Sequence, residues 1–181
     1  MATVSIPAFK ERGLRQLPDR KGVYALCDLD EVPIYVGLST DGIKKRVRRH
    51  LTSARSDVIA NRQIDVWEIA FVWGWELGTG QNINELEAFH YNAFHPVSPL
   101  VNGRPPTVVP SAGLVVPTKV RVQVLPDEEI IARRKPALRF PRQIQHFNQL
   151  VDYILHTKDK PHLRQALNVY FDRLTKYYRA F

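Results

Sequence analysis

The 181-residue chain sets 26 Lys and Arg against 18 Asp and Glu, a net charge of +8, and is 44% apolar and 10% aromatic; this length supports one core of roughly 100–150 residues plus a small appendage and excludes a chain disordered throughout. A lone cysteine, Cys27, excludes an intramolecular disulfide and a multi-cysteine zinc site and suits a reducing cytoplasm, and with no signal-like segment and no run of about 18 apolar residues, export and membrane insertion are not expected. The basic balance makes polyanions, nucleic acid first, the expected partner.

After a short lead, Gly22 to Asp28 (GVYALCD) and Val32 to Leu38 (VPIYVGL) read as two strands joined by a turn, an expected β-hairpin. Pro33 fits only the start or edge of the second strand, because it has no N–H to donate. Tyr24 and Tyr35 therefore fall on neighbouring strands. "STDGIKKRVRRHLTSA" offers Ser39, Thr40 and Asp41 as caps and spaces Ile43, Val47, Leu51 and Ala54 as the apolar stripe of a helix. Arg46 and His50 lie one turn apart along the flank of that stripe, whereas Lys44, Lys45, Arg48 and Arg49 point more toward solvent.

A third strand is expected within Asp65 to Leu77 (DVWEIAFVWGWEL), whose β-branched and aromatic residues suit a pleated, half-buried surface. Asn84 to Phe94 (NELEAFHYNAF) then reads as a helix with Leu86, Phe89, His90 and Ala93 on one face and Glu87 at its border, stopped by Pro96. Val97 to Pro117 is proline-rich and loop-like, and "TKVRVQVL" alternates as a strand with Val120, Val122 and Val124 on one side. "DEEIIARRKPALRFPRQ" reads as a charged connection. From about Gln143 two helical stripes follow, Ile144, Phe147, Val151 and Ile154, then Leu163, Leu167, Tyr170, Leu174 and Tyr178, broken at "TKDKPH" into an α-hairpin.

The first hundred residues thus supply two phenols, a guanidinium, an imidazole and a carboxylate from separate elements. A carboxylate can hold a hard divalent cation that keeps most of its own waters. A guanidinium fork matches two phosphate oxygens and stabilises the charge of a phosphoryl transition state. A tyrosine whose pKa of about 10 is lowered by neighbouring cations can relay the proton of an attacking water. The set suits phosphodiester hydrolysis. His90, His95 and His146 have no partners at metal-ligand spacing and read as structural, and Trp73 and Trp75 read as core.

Over residues 20–103 the chain resembles the GIY-YIG nucleases. Gly22-Val23-Tyr24 stands where that family has its first tripeptide and Tyr35-Val36-Gly37 where it has its second; "YVGLSTDGIKKRVRRHL" matches its arginine at Arg46 and its histidine at His50. "LEAFHYNAFHP" matches the string that carries the family's metal-binding glutamate, at Glu87, and Asn102 matches its terminal asparagine. Leu38 stands where the family often has a lysine, a phosphate cation that Lys44, Lys45 or Arg49 would replace. Glu85 is set aside on the alignment, and two helix positions put it about 200° from Glu87.

The resemblance implies an α/β (α+β) fold with a small central antiparallel sheet flanked by helices, in a domain of residues 1–125; the C-terminal helical extension at 126–181 is expected to serve DNA engagement or a homodimer, because its apolar stripes need a partner. The resemblance also implies a DNA endonuclease using Mg²⁺ or Mn²⁺. Tyr35 would act as, or relay to, the general base, Tyr24 would position water or phosphate, and Arg46 would stabilise the scissile phosphate. Glu87 would bind the ion, with His50 and Asn102 supporting the phosphate or the site geometry. Lys44, Lys45, Arg48, Arg49 and Arg55, then the acid-free run Arg133 to Arg142, are the expected DNA phosphate contacts. The alternatives are a non-catalytic nucleic-acid-binding module of the same fold and a basic structural protein assembled through its helical hairpin.

Overall fold

A computed structural model describes residues 5–53, 56, 60, 62–102 and 104–179. Its centre is a four-stranded antiparallel sheet of β1 (Gly22–Cys27), β2 (Pro33–Ser39), β3 (Phe71–Glu76) and β4 (Lys119–Gln123) in the order β2-β1-β3-β4. Six helices are present among the described residues: α1 (Ile6–Leu14), α2 (Ile43–Thr52), α3 (Ile83–Phe94), α4 (Asp127–Arg134), α5 (Pro136–His156) and α6 (Pro161–Arg179). The expected α+β architecture, hairpin and helical C-terminus are all present. None of the helices is long and apolar enough to cross a membrane, among the described residues.

β1 is buried along its whole length, as an inner strand with helices on both faces must be. Tyr24 and Leu26 join Val72, Val122 and Val124 on one face, under Ile43 and Val47 of α2 and the C-terminal helices; Val23 and Ala25 join Val36 and Trp75 on the other, under Leu86 and Tyr91 of α3. The first cluster continues without a break into Leu150, Ile154, Leu163, Ala166 and Tyr170, so α5 and α6 bury much of their apolar surface on the sheet. Leu155, Phe171 and Tyr178 remain exposed.

The hairpin turn is fixed by Asp28, whose Oδ1 accepts the N–H groups of Asp30 and Val32, each at 2.9 Å, an Asx-type closure. Ser39, Thr40 and Asp41 do not cap α2 through their side chains. Gly42 takes a φ of 114°, which redirects the chain, and the first N–H groups of α2 donate instead to Arg20 and Pro18 carbonyls at 3.0 Å. Ala54, expected to close the α2 stripe, lies outside the described residues.

Three segments differ from expectation. The lead forms α1, with proline in its first turn. Residues 65–70 form a 3-10 turn at Val66–Glu68 and an extended link, so β3 starts only at Phe71. The charged connection is α4 and the start of α5, with Pro136 at the first turn and Pro141 inside the helix, where it removes one backbone hydrogen bond and crowds the carbonyl one turn back.

Within the run Arg133 to Arg142 the four arginines are engaged inside the molecule. Arg139 is 7% exposed at its side chain and donates to Glu68, Asp30, Asp28 and the Tyr177 hydroxyl. Arg142 makes a two-pronged pair with Asp65, both bonds at 2.8 Å. Arg133 pairs with Glu129 and the Trp67 carbonyl, and Arg134 with Asp30 and the Leu29 carbonyl. Arg173 of α6 reaches Asp28 as well. These guanidiniums lock the C-terminal helices onto the hairpin turn and the 3-10 turn, since buried carboxylates need such partners.

Candidate active site

The two tyrosines share the α2 face because they sit across β1 and β2 in register: Tyr24 opposes Gly37, and Leu26 opposes Tyr35. The rings of Tyr24, Tyr35 and His50 form a triangle with centroids 6.2, 5.8 and 6.1 Å apart. Tyr24 and His50 are completely buried, whereas Tyr35 is half-buried and reaches solvent. The Tyr24 hydroxyl is 2.7 Å from His50 Nε2, and His50 Nδ1 is 2.6 Å from the hydroxyl of Ser56. Arg46 lies one turn before His50 on α2 and is half-buried.

Gly37 has to be glycine. A Cβ there would stand 2.6 Å from the Tyr24 hydroxyl oxygen and 2.9 Å from the Tyr35 ring, closer than packed atoms tolerate. Its bare backbone lets the Tyr24 hydroxyl lie over the edge strand.

Glu87 arrives from the opposite face, on α3, and its carboxylate accepts the backbone N–H of Leu38, which leaves it at the free edge of β2 one residue beyond Gly37. Burial raises its pKa above the ordinary 4.5, and the Leu38 hydrogen bond offsets only part of that. Glu85 is directed elsewhere: its carboxylate accepts the Ser111 N–H at 3.0 Å, as the 200° separation on a helix requires. Asn102 completes the edge. Its Oδ1 accepts from Val36 N–H at 2.9 Å and its Nδ2 donates to Val36 C=O at 2.6 Å, while Val101 N–H donates to the Ile34 carbonyl. Asn102 is therefore buried as a strand-like clasp on β2, and it acts on the site by holding the backbone between Tyr35 and Gly37.

No group of three or more His, Cys, Asp and Glu side chains is placed to share a metal, among the described residues. A lone, half-buried carboxylate fits a hard, oxygen-preferring ion that retains its own waters, because the Leu38 N–H uses only one of its several lone-pair positions.

On the outward side of α2, Lys44, Lys45, Arg48 and Arg49 line a surface hollow of 420 Å³ with Asp19, Thr52 and Ser53. Lys44 pairs with Asp19 at 2.9 Å, Lys45 with Asp41 at 3.0 Å and Arg48 with Glu11 at 2.8 Å. Exposed pairs of this kind are worth little and exchange readily for phosphate. Arg55 lies outside the described residues. Sequence reasoning missed Ser56, which lies beyond the end of the helical pattern and carries no motif of its own. His90 is buried and stacked on Trp75 with centroids 3.7 Å apart, and its burial lowers its pKa to about 4. Trp75 is core and Trp73 half-buried beside it.

No family model, no curated protein and no solved structure matches the chain.

Proposed function

We propose that the protein is a metal-dependent DNA endonuclease of the GIY-YIG type, with its active site where β1, β2, α2 and α3 meet at the edge of β2. The observation that carries this reading is the convergence of a Tyr24–Tyr35–His50 cluster from one face and the Glu87 carboxylate from the other, one residue past Gly37. A structural protein has no use for a half-buried carboxylate brought to such a place, where its desolvation is costly.

In this reading the tyrosines divide the work. Tyr35, open to solvent, takes the proton of the attacking water or passes it on. Tyr24, fully buried and bonded to His50, braces that ring pair and the backbone at Gly37. Arg46 stabilises the charge that builds on the scissile phosphate. Glu87 would hold Mg²⁺ or Mn²⁺, an ion that when bound supplies Lewis-acid charge and makes its water a better nucleophile. The raised pKa of Glu87 means that protons compete with the cation, so cleavage weakens as pH falls toward that value. Asn102 keeps the β2 backbone in register. Lys44, Lys45, Arg48 and Arg49 grip DNA on the outer side of α2, away from the flank that carries Arg46, and so hold flanking phosphates.

The test separates cutting from binding. Supercoiled plasmid and branched DNA are incubated with the protein in EDTA, binding is read by gel shift, and cleavage is read after Mg²⁺ or Mn²⁺ is added. Arg46→Ala should retain most binding and lose on the order of 10²–10³-fold in cleavage rate. Tight binding with no cleavage by the wild type on any DNA form would establish the non-catalytic module instead.

A further inference from the structure

We infer that Ser56 is a positioning residue of this site, whose hydroxyl fixes the tautomer of His50 and through it the direction of the hydrogen bond at Tyr24. Three groups form a buried chain: Tyr24 Oη to His50 Nε2 at 2.7 Å, and His50 Nδ1 to Ser56 Oγ at 2.6 Å. Tyr24 and His50 are 0% exposed and Ser56 is 1% exposed, so water does not compete for these bonds.

A neutral imidazole has one N–H and one lone pair, and each nitrogen here has a hydroxyl at hydrogen-bond distance. The phenolic proton is the more acidic of the two that could fill the Tyr24–His50 bond, and the imidazole lone pair is the stronger acceptor. Tyr24 O–H therefore donates to Nε2, and Nδ1–H donates to Ser56 Oγ. The opposite tautomer would send an N–H toward Tyr24 and require Ser56 to donate. The Ser56 backbone is fixed beside His50, its N–H on the Ser53 carbonyl at 3.1 Å and its own carbonyl taking the Ala60 N–H at 2.7 Å.

The consequence lies at the far end of the chain. With its proton committed to His50, the Tyr24 oxygen faces the bare backbone of Gly37 as an acceptor, 2.6 Å from the place a Cβ would occupy. Held in that direction, the buried Tyr24 braces the β2 backbone beside Tyr35. Ser56 thus sets the brace at Gly37, although it does not touch it. The catalytic part of this inference rests on the nuclease reading; the tautomer does not.

The experiment has two arms on the full chain. Imidazole ¹⁵N–¹H spectra of wild type, with the His50 signals assigned by their loss in His50→Gln, should give a protonated Nδ1 and an unprotonated Nε2. Ser56→Ala should collapse this into a mixture of tautomers, and Ser56→Thr, which keeps a hydroxyl, should restore it. In the cleavage assay Ser56→Ala should fall about 10-fold, the size of one lost hydrogen bond, with a changed pH profile, and should cost nothing further in a Tyr24→Phe background. A protonated Nε2 in wild type, or a tautomer indifferent to Ser56→Ala, overturns the inference. The expected tautomer in a protein that cuts no DNA supports the hydrogen-bond chain and overturns the nuclease reading alone.

Discussion

Removing Arg139 should be among the most damaging single changes in the molecule, through charge rather than volume. Its guanidinium, 7% exposed, meets Glu68 at 2.9 Å, and the Glu68 side chain is only 3% exposed. Arg139→Ala leaves Arg173 to satisfy Asp28 but strands the Glu68 carboxylate. Breaking a buried pair from one side costs about 3–5 kcal/mol, a large part of the total stability of a domain of this size. The sign of the pH dependence follows from Glu68. Burial raises its pKa above 4.5 even against the opposing pull of Arg139. A carboxylate raised on folding favours the folded state below its unfolded pKa and loses that contribution as pH rises through the folded value. Without Arg139 the rise is larger, so the penalty should be greatest near neutrality and should shrink as pH falls toward 4.5. Urea unfolding of wild type and variant between pH 7.5 and 4.5, read by tryptophan fluorescence, measures this directly. A difference below about 1 kcal/mol at neutral pH, or one that grows in acid, refutes the argument.

Further outcomes follow from single contacts. Asn102→Ala removes both bonds to Val36 and should cost about 2–3 kcal/mol in unfolding free energy, with faster amide exchange along β2; an unchanged exchange pattern would contradict the clasp. Gly37→Ala places a methyl group 2.6 Å from the Tyr24 hydroxyl and should destabilise by about 1–3 kcal/mol while displacing the Tyr24 ring, visible as shifted ring resonances. His90, held at about 4 against an ordinary 6.5, resists protonation in the folded state, so stability should fall as pH drops from 6.5 to about 4 by up to about 3 kcal/mol. His90→Phe should flatten that slope, and an unaltered slope would place the acid sensitivity elsewhere.

The elements with simple apolar rhythm were legible in the sequence. The β1–β2 hairpin, α2, α3 and β4 lie where Tyr24, Val47, Leu86 and Val122 imply, because their buried faces are mostly apolar, with His50 and His90 the buried polar residues of the two helices. The C-terminal helices were legible as helices but not in their facing. The buried stripe of α5 includes Arg139, Gln143 and His146 beside Leu150 and Ile154, while Ile144 is exposed. Polar residues that are buried in partner networks look like solvent-facing ones in a linear text. In α3 the same effect puts His90 inside and Phe89 outside. The candidate site residues could be named from the sequence, but their arrangement could not: that Glu87 bonds at Leu38 and that Asn102 clasps Val36 are contacts between distant segments, and that Ser56 closes on His50 depends on how the chain turns after α2. Only the topology brings them together.

The central claim, hydrolysis of DNA at the β2 edge with Glu87 as ion ligand, is tested most directly by one matched pair. Wild type and Glu87→Gln, an isosteric change that keeps an acceptor for the Leu38 N–H but removes the charge, are incubated with supercoiled plasmid over a Mg²⁺ titration. The account predicts Mg²⁺-dependent nicking by wild type, and activity reduced on the order of 10²-fold or more in the variant at equal DNA binding. Equal nicking by the two proteins would contradict it.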